Sequence, residues 1–428
     1  MYCVGKVRVL YCNLHGKPSA RPGLYAKTRA SSPFEDGITL MGDFCLSKSD
    51  VKYLAARYET PFFVISLAKV RENILFFREN MPRVRIYYAM KANPSPGILT
   101  LAHEMGTGFD TASAGEMTLL SKMGVPGEKM LYANPVKPRS GLLTAAHLGV
   151  RRMVFDDADE IEKMAKITPG ADVLVRIRVH NPNVLVDLNA KFGAAPKDAL
   201  NLLKIARDAG LNPRGISFHV GSQSLSESAY TDTLVLCRRI FDEAEAEGIP
   251  LSLLDIGGGF PIPLGEEKCP DVGAMMRSVE KTLDELFPSA EISAEPGRFL
   301  CGTAANLVTS VIGVKRRGDS FWYTLDDGVY GVLSGTIYDH WTFSFKTFRE
   351  GPLFRSSLLG PSCDSVDFVR RDIMLPELRA GDLLLTPDCG AYTSASATTF
   401  NGFPVAREII YEDEIKRAAK EKAHDEAV

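Results

Sequence analysis

Between residues 85 and 297 the sequence alternates between short apolar runs and longer amphipathic stretches, a rhythm that few folds accommodate. The apolar runs are Ile86–Met90, Gly108–Thr111, Lys129–Ala133, Arg152–Phe155, Asp172–Arg178, Gly215–Val220, Leu251–Ile256 and Glu291–Ala294. Helix-like segments between them include Ala114–Met123, Asp157–Ile167, Lys197–Ala209, Ser228–Glu247 and Val272–Phe287. In 197–209 the apolar residues Ala199, Leu200, Leu203, Ile205 and Ala206 recur near helical spacing. Several of these stretches close on glycine (Gly106, Gly124, Gly210, Gly248), a helix-stop signal. Eight such beats predict an α/β fold, a (β/α)8 TIM-like barrel whose functional groups gather at the C-terminal strand ends. An open doubly wound sheet is the alternative.

After residue 300 the texture changes. The runs Asn306–Val314, Phe321–Leu325, Ser356–Leu359 and Asp382–Thr386 are β-like and separated by glycine and proline, which predicts a second, all-β domain. Pro61–Ser66 offers it a further strand. The expected organisation is a poorly defined extension over 1–40, a barrel over 68–300, a β domain from 41–67 and 301–411, and a charged tail over 412–428, suited to a solvated helix. Residues 1–34 contain no acid and no continuous apolar stretch, which argues against a secretory signal. A transit peptide, an unstructured extension and an upstream start codon all remain compatible with them.

The chain has 428 residues, 45% hydrophobic and 24% charged, with net charge −3. That balance fits a soluble enzyme and argues against a nucleic-acid partner. No apolar stretch approaches the roughly 18–20 residues of a membrane span. The eight cysteines (3, 12, 45, 237, 269, 301, 363, 389) are scattered, without metal-ligand spacing. Free thiols in a cytoplasmic protein without a structural metal are the expectation.

Lys91 ends the first apolar run, where a barrel would deliver its amine to the mouth for covalent attachment of an aldehyde cofactor. Asp110, Arg176, His219, Gly257–Gly259 and Glu295 fall at later strand ends. Three consecutive glycines, Gly257, Gly258 and Gly259, permit positive φ and expose N–H groups toward a phosphate; a flexible turn is their bland reading. Glu295 and Arg298 form either a local ion pair or a site in which the arginine meets a phosphate and the glutamate a ring nitrogen. His219 is either a core histidine or a flat ring for stacking on a cofactor. Cys363 lies beside Asp364 in a turn-prone loop, which puts a thiol next to a carboxylate; an unremarkable loop cysteine is the bland reading.

Taken together, the segments Y-A-M-K-A-N (88–93), F-H-V-G-S (218–222), D-I-G-G-G-F-P (255–261), A-E-P-G-R (294–298), D-D-G-V-Y-G (326–331), Y-D-H (338–340), G-P-S-C-D-S (360–365), G-A-Y-T (390–393) and F-N-G-F (400–403) resemble the group IV, alanine-racemase-fold pyridoxal-phosphate decarboxylases. The likeness runs in order from about residue 60 to 405, nearest to the ornithine and lysine decarboxylases. It implies that Lys91 carries pyridoxal 5′-phosphate covalently. Ser222, the Gly257–Gly259 turn, Arg298 and Tyr392 would hold the phosphate, His219 would stack on the ring, and Glu295 would bond its nitrogen. Asp110, Arg176, Pro296 and Gly297 would line the same pocket.

A carboxylate against the ring nitrogen keeps it protonated, which favours decarboxylation over racemisation. Cys363 matches the family's proton donor and, with Asp364, would enter from the partner subunit of a two-fold homodimer with shared sites. Tyr330, Tyr338, Asp339, Asp364 and Phe400 would meet the substrate, a basic amino acid. L-Ornithine is favoured, giving putrescine for polyamine synthesis. L-Lysine and carboxynorspermidine are the alternatives, and a catalytically silent regulatory homologue is the third reading.

Overall fold

Eight parallel strands close into a barrel in the computed structural model, which describes residues 44–181, 184, 188–263 and 271–425. After β1 (Phe62–Ile65), the barrel strands are β2 (Val84–Ala89), β3 (Gly108–Thr111), β4 (Met130–Tyr132), β5 (Arg152–Phe155), β6 (Asp172–Ile177), β7 (Asn212–Phe218), β8 (Leu253–Asp255) and β9 (Glu291–Ala294). Each pairs with the next, and β9 returns to β2 with Ile292 opposite Val84. All eight overlap the apolar runs of the sequence, and the closed ring excludes the open sheet.

The helices are α1 (Lys48–Ala55), α2 (Leu67–Asn80), α3 (Pro96–Glu104), α4 (Ala114–Lys122), α5 (Arg139–Leu148), α6 (Ala158–Ile167), α7 (Ala199–Asp208), α8 (Glu227–Ala246), α9 (Val272–Leu286), α10 (Arg298–Cys301), α11 (Gly335–Tyr338) and α12 (Tyr411–Asp425). Side-chain caps start several of them: Ser66, Ser113, Asp157, Ser226 and Asp271 each accept a backbone N–H of the first turn. Inward-pointing Tyr87, Leu131, Val154, Leu174 and Leu253 form a separate buried cluster, as the alternation of the strands requires. At the N-terminal end of the ring the Arg152 guanidinium donates to both oxygens of Glu291, at 2.7 and 3.0 Å, and to the Tyr87 hydroxyl at 2.8 Å. The polar opening is therefore at the other end.

The remaining strands, β10 (Ala305–Arg317), β11 (Ser320–Leu325), β12 (Lys346–Thr347), β13 (Leu353–Leu359), β14 (Phe368–Pro376), β15 (Leu383–Thr386) and β16 (Arg407–Ile410), form an eight-stranded sheet with β1. Its main path runs β12-β15-β10-β11-β13-β14, while β1 lies between β10 and β16. The residues before the barrel thus do supply a strand. Strand β14 escapes sequence patterning because Arg370, Arg371 and Asp372 interrupt its apolar alternation, and Asp372 adopts φ +57°.

Only the first turn of the charged C-terminal run departs from the expected solvated helix or tail. The run is helical, but its first turn is anchored: Glu412 accepts the N–H groups of Leu67 (3.1 Å) and Ala68 (2.9 Å) and the Ser66 hydroxyl (2.7 Å), while buried Glu414 accepts the Tyr58 hydroxyl at 2.8 Å. Those contacts place a carboxylate on the N-terminal end of α2, where the helix dipole favours it. The expected extension over 1–40 lies outside the described residues. Among those described, no helix is long and apolar enough to cross a membrane.

Candidate active site

Strand β2 stops at Ala89, and the 3-10 turn Met90–Ala92 turns Lys91 into the barrel mouth. Three bonds fix that turn: Tyr88 donates its hydroxyl to the Asn93 carbonyl (2.9 Å), Asn93 donates to the Gly390 carbonyl (2.9 Å), and the Tyr392 N–H donates to the Ala92 carbonyl (2.8 Å). Two of the three reach the β domain, so both domains set the position of the lysine. The Lys91 amine is ion-paired with Asp110, a buried residue of β3. Burial opposes its charge, yet Asp110, Tyr392 and Glu295 outweigh that and hold the amine above the ordinary lysine range.

Glu295 follows β9, the strand paired with that of the lysine, and its N–H donates to the Gly257 carbonyl at 2.7 Å. Burial first, then the charges of Asp255 and Asp110, push its carboxyl well above the usual range. Its Oε1 is buried and has no hydrogen-bond partner. His219 follows β7, and its Nδ1 accepts the Gly221 N–H at 3.0 Å. Burial, Arg176 and Lys91 keep this imidazole neutral.

The glycine turn after β8 packs against both residues. Gly257 has φ +65°, and a Cβ there would stand 2.2 Å from the Phe218 carbonyl; at Gly259, φ +100°, it would stand 2.3 Å from the Gly221 carbonyl. The Gly257 N–H is taken by Asp255 at 3.3 Å, so it is not free for a phosphate as the sequence suggested. Of the three glycines, Gly259 lines the cavity.

That cavity, of about 390 Å³, also exposes Asp110, Arg176, His219, Ser222, Glu295, Pro296, Gly297, Arg298, Asp339 and Tyr392 along its walls around Lys91. Arg298 Nη2 reaches Ser222 Oγ at 3.5 Å and is ion-paired with Asp339. Its guanidinium stands 4.5 Å from the Trp341 ring and 4.9 Å from the Tyr392 ring, and its Nε is buried without a partner.

A second group of expected residues does not line this cavity. The Tyr330 hydroxyl donates to Asp364 at 2.5 Å and its ring stacks on Phe400 at 4.2 Å. Cys363 is exposed, its N–H donating to Asn401 at 3.0 Å, and Tyr338 is exposed as well. Asp364 is held below the usual carboxylate range by the Tyr330 hydroxyl. These residues form their own surface cluster, and Asp339 alone of the expected substrate ligands stands in the cavity wall.

Sequence reasoning missed several wall residues. Asn134 and Pro135 directly follow β4, so their strand-end position was available as a signal. Phe192, whose ring lies 5.1 Å from the Arg176 guanidinium, and Lys191, 4.9 Å from that ring, sit in a stretch of sequence with no periodic pattern. Gln223 braces the wall by exchanging two 2.9 Å bonds with the Ile262 backbone.

Comparison with known proteins decides what this geometry belongs to. A family model described as the pyridoxal-binding domain of pyridoxal-dependent decarboxylases matches residues 67–302. A lysine/ornithine decarboxylase of Selenomonas ruminantium is 55% identical over 89% of this chain and 97% of its own length. The chain belongs to the pyridoxal-dependent decarboxylases. An ornithine decarboxylase of Schizosaccharomyces pombe is 38% identical over 82% of this chain and 83% of its own. A lysine/ornithine decarboxylase of Vibrio vulnificus, solved in complex with cadaverine, is 33% identical, with a TM-score of 0.80 over 85% of this chain and 99% of that one.

The protein is accordingly a carboxy-lyase using pyridoxal 5′-phosphate. The cavity of this decarboxylase fits the cofactor at both ends. Unpartnered Glu295 Oε1 can accept a ring N–H, and unpartnered Arg298 Nε can donate to a phosphate oxygen. The amine for the aldehyde lies in the wall with them.

Proposed function

We propose that this decarboxylase acts on basic L-amino acids with a distal ammonium, L-ornithine and L-lysine, releasing CO2 with putrescine or cadaverine. The observation that carries the reading is one cavity wall shared by Lys91, the unpartnered Glu295 carboxylate, Arg298 and the acidic Asp339. A buried carboxylate at the cavity wall suits an ammonium tail and opposes a second carboxylate, as in diaminopimelate. Ornithine and lysine differ by one methylene, worth about 1–3 kcal/mol, so both are accommodated.

Pyridoxal phosphate, when bound, supplies the electron-withdrawing ring that takes up the electron pair left by CO2. The chain does the rest. Lys91 would hold the cofactor by its aldehyde. Glu295 would hold the proton of the ring nitrogen, neutral His219 would offer a flat face to the ring, and Ser222, Arg298 and Tyr392 would take the phosphate. Asp110 positions the Lys91 amine through their ion pair. Cys363, an exposed thiol outside the cavity of its own chain, delivers the proton to Cα across a two-fold dimer interface. Asp364, carried in the same loop, meets the ammonium tail.

The test is CO2 release from L-ornithine, L-lysine, L-arginine, meso-diaminopimelate and carboxynorspermidine. Release from the first two, abolished together with the visible absorbance of the protein in Lys91→Ala, is expected. Turnover confined to diaminopimelate or carboxynorspermidine would overturn the substrate assignment.

A further inference from the structure

We propose that Asp339 is an exchangeable counter-ion, shared between Arg298 and the ammonium tail of the substrate, so that the phosphate end of the site and recognition of the tail are thermodynamically coupled. The inference rests on the proposed cofactor and substrate reading of the cavity, and it assigns Asp339 a role besides binding substrate.

Arg298 is the cation of the phosphate end, next to Ser222 at 3.5 Å and over the rings of Trp341 and Tyr392. Its Nη2 already donates to Asp339 Oδ2. Both side chains are nearly enclosed, with 6% and 12% of their surface accessible. In such a setting charges are weakly screened. One guanidinium balances one carboxylate. A phosphate group carrying close to two negative charges, brought to the same guanidinium, stands against the Asp339 carboxylate. Of the other cations in this wall, Lys91 is committed to Asp110, and Arg176 and Lys191 lie at the Phe192 ring.

Asp339 has the means to leave. It ends the four-residue helix α11, with its N–H bonded to the Gly335 carbonyl at 3.1 Å, and Trp341 N–H bonds to the same carbonyl at 3.0 Å. These bonds involve only the backbone of this turn, so rotation of the Asp339 side chain about Cα–Cβ breaks neither. The carboxylate already forms part of the cavity wall. Rotation away from Arg298 turns it toward the interior, where an ammonium tail replaces the lost guanidinium. Phosphate at Arg298 and ammonium at Asp339 therefore favour one another, and linkage requires the effect to be reciprocal.

The experiment titrates the full-length chain by calorimetry with 4′-deoxypyridoxine 5′-phosphate, which has ring and phosphate but no aldehyde, with and without saturating cadaverine. The diamine is expected to tighten the phosphorylated ligand at least about 5-fold, the lower range of allosteric coupling. Asp339→Asn is expected to bind that ligand about 10-fold more tightly than wild type and to gain nothing from the diamine. Unphosphorylated pyridoxine should respond to neither change. No diamine effect on the wild type, an equal effect on pyridoxine, or weaker binding by Asp339→Asn would each overturn the proposal. Should the variant fail to fold, the wild-type coupling decides alone. Failure of the cofactor assignment would be seen separately, as absence of Lys91-dependent visible absorbance with pyridoxal phosphate itself.

Discussion

At the scale of single residues, the site is governed by which buried charges have partners. Lys91 has Asp110; Arg298 has Asp339; Glu295 keeps one oxygen unsatisfied and shares its surroundings with Asp255. An unpaired buried carboxylate is costly, and its persistence at the end of a barrel strand makes sense if a ligand completes it. Glu295→Gln preserves shape and removes the charge. Turnover should drop on the order of 10²-fold, as when one preorganised electrostatic group is lost, while cofactor absorbance remains. The same variant makes a prediction for stability. The Glu295 carboxyl is raised in the folded protein, so its contribution is full below its ordinary value near 4.5 and is lost as pH climbs through the folded value. Thermal melts of the variant from about pH 4 to neutrality should decline less steeply than those of wild type; identical slopes would contradict the assigned shift.

At the scale of elements, each strand end is shaped by the turn or helix attached to it. The glycine turn after β8 is wedged between the ends of β7 and β9, with the Gly258 carbonyl accepting the Tyr230 hydroxyl (2.9 Å) and the Gly259 carbonyl the Ser224 N–H (2.8 Å). Gly257 and Gly259 have the positive φ that the sequence suggested, and of the N–H groups that of Gly257 is taken by Asp255. Gly257→Ala should cost about 1–3 kcal/mol, from left-handed backbone strain and the clash with Phe218. A denaturant midpoint indistinguishable from wild type would show that the turn relaxes. The turn after β2 works differently, since Tyr88, Asn93 and Tyr392 hold it from both domains.

At the scale of the whole molecule, one chain holds two groups of candidate site residues, the cavity around Lys91 and the surface cluster of Cys363, Asp364, Tyr330 and Phe400. If the second group completes the cavity of a partner, inactive Lys91→Ala and impaired Cys363→Ala chains should complement. Random reassortment makes half of the dimers mixed with one intact site each, so about a quarter of wild-type activity is expected. Subunit exchange verified by tagged chains, with no gain in activity, would rule out shared sites.

The barrel was legible in the sequence because parallel strands buried on both faces need short unbroken apolar runs. Lys91, His219, Glu295 and the glycines could be placed because strand ends are visible wherever such a run stops. Local pattern could not give the counter-charges. Asp339 and Arg298 are 41 residues apart, and Lys191 and Phe192 enter the wall from a connection without periodicity. Periodicity reports the environment a residue needs along its own strand or helix, whereas the partner of a buried charge depends on how the closed ring and the sheet meet, which only tertiary structure decides.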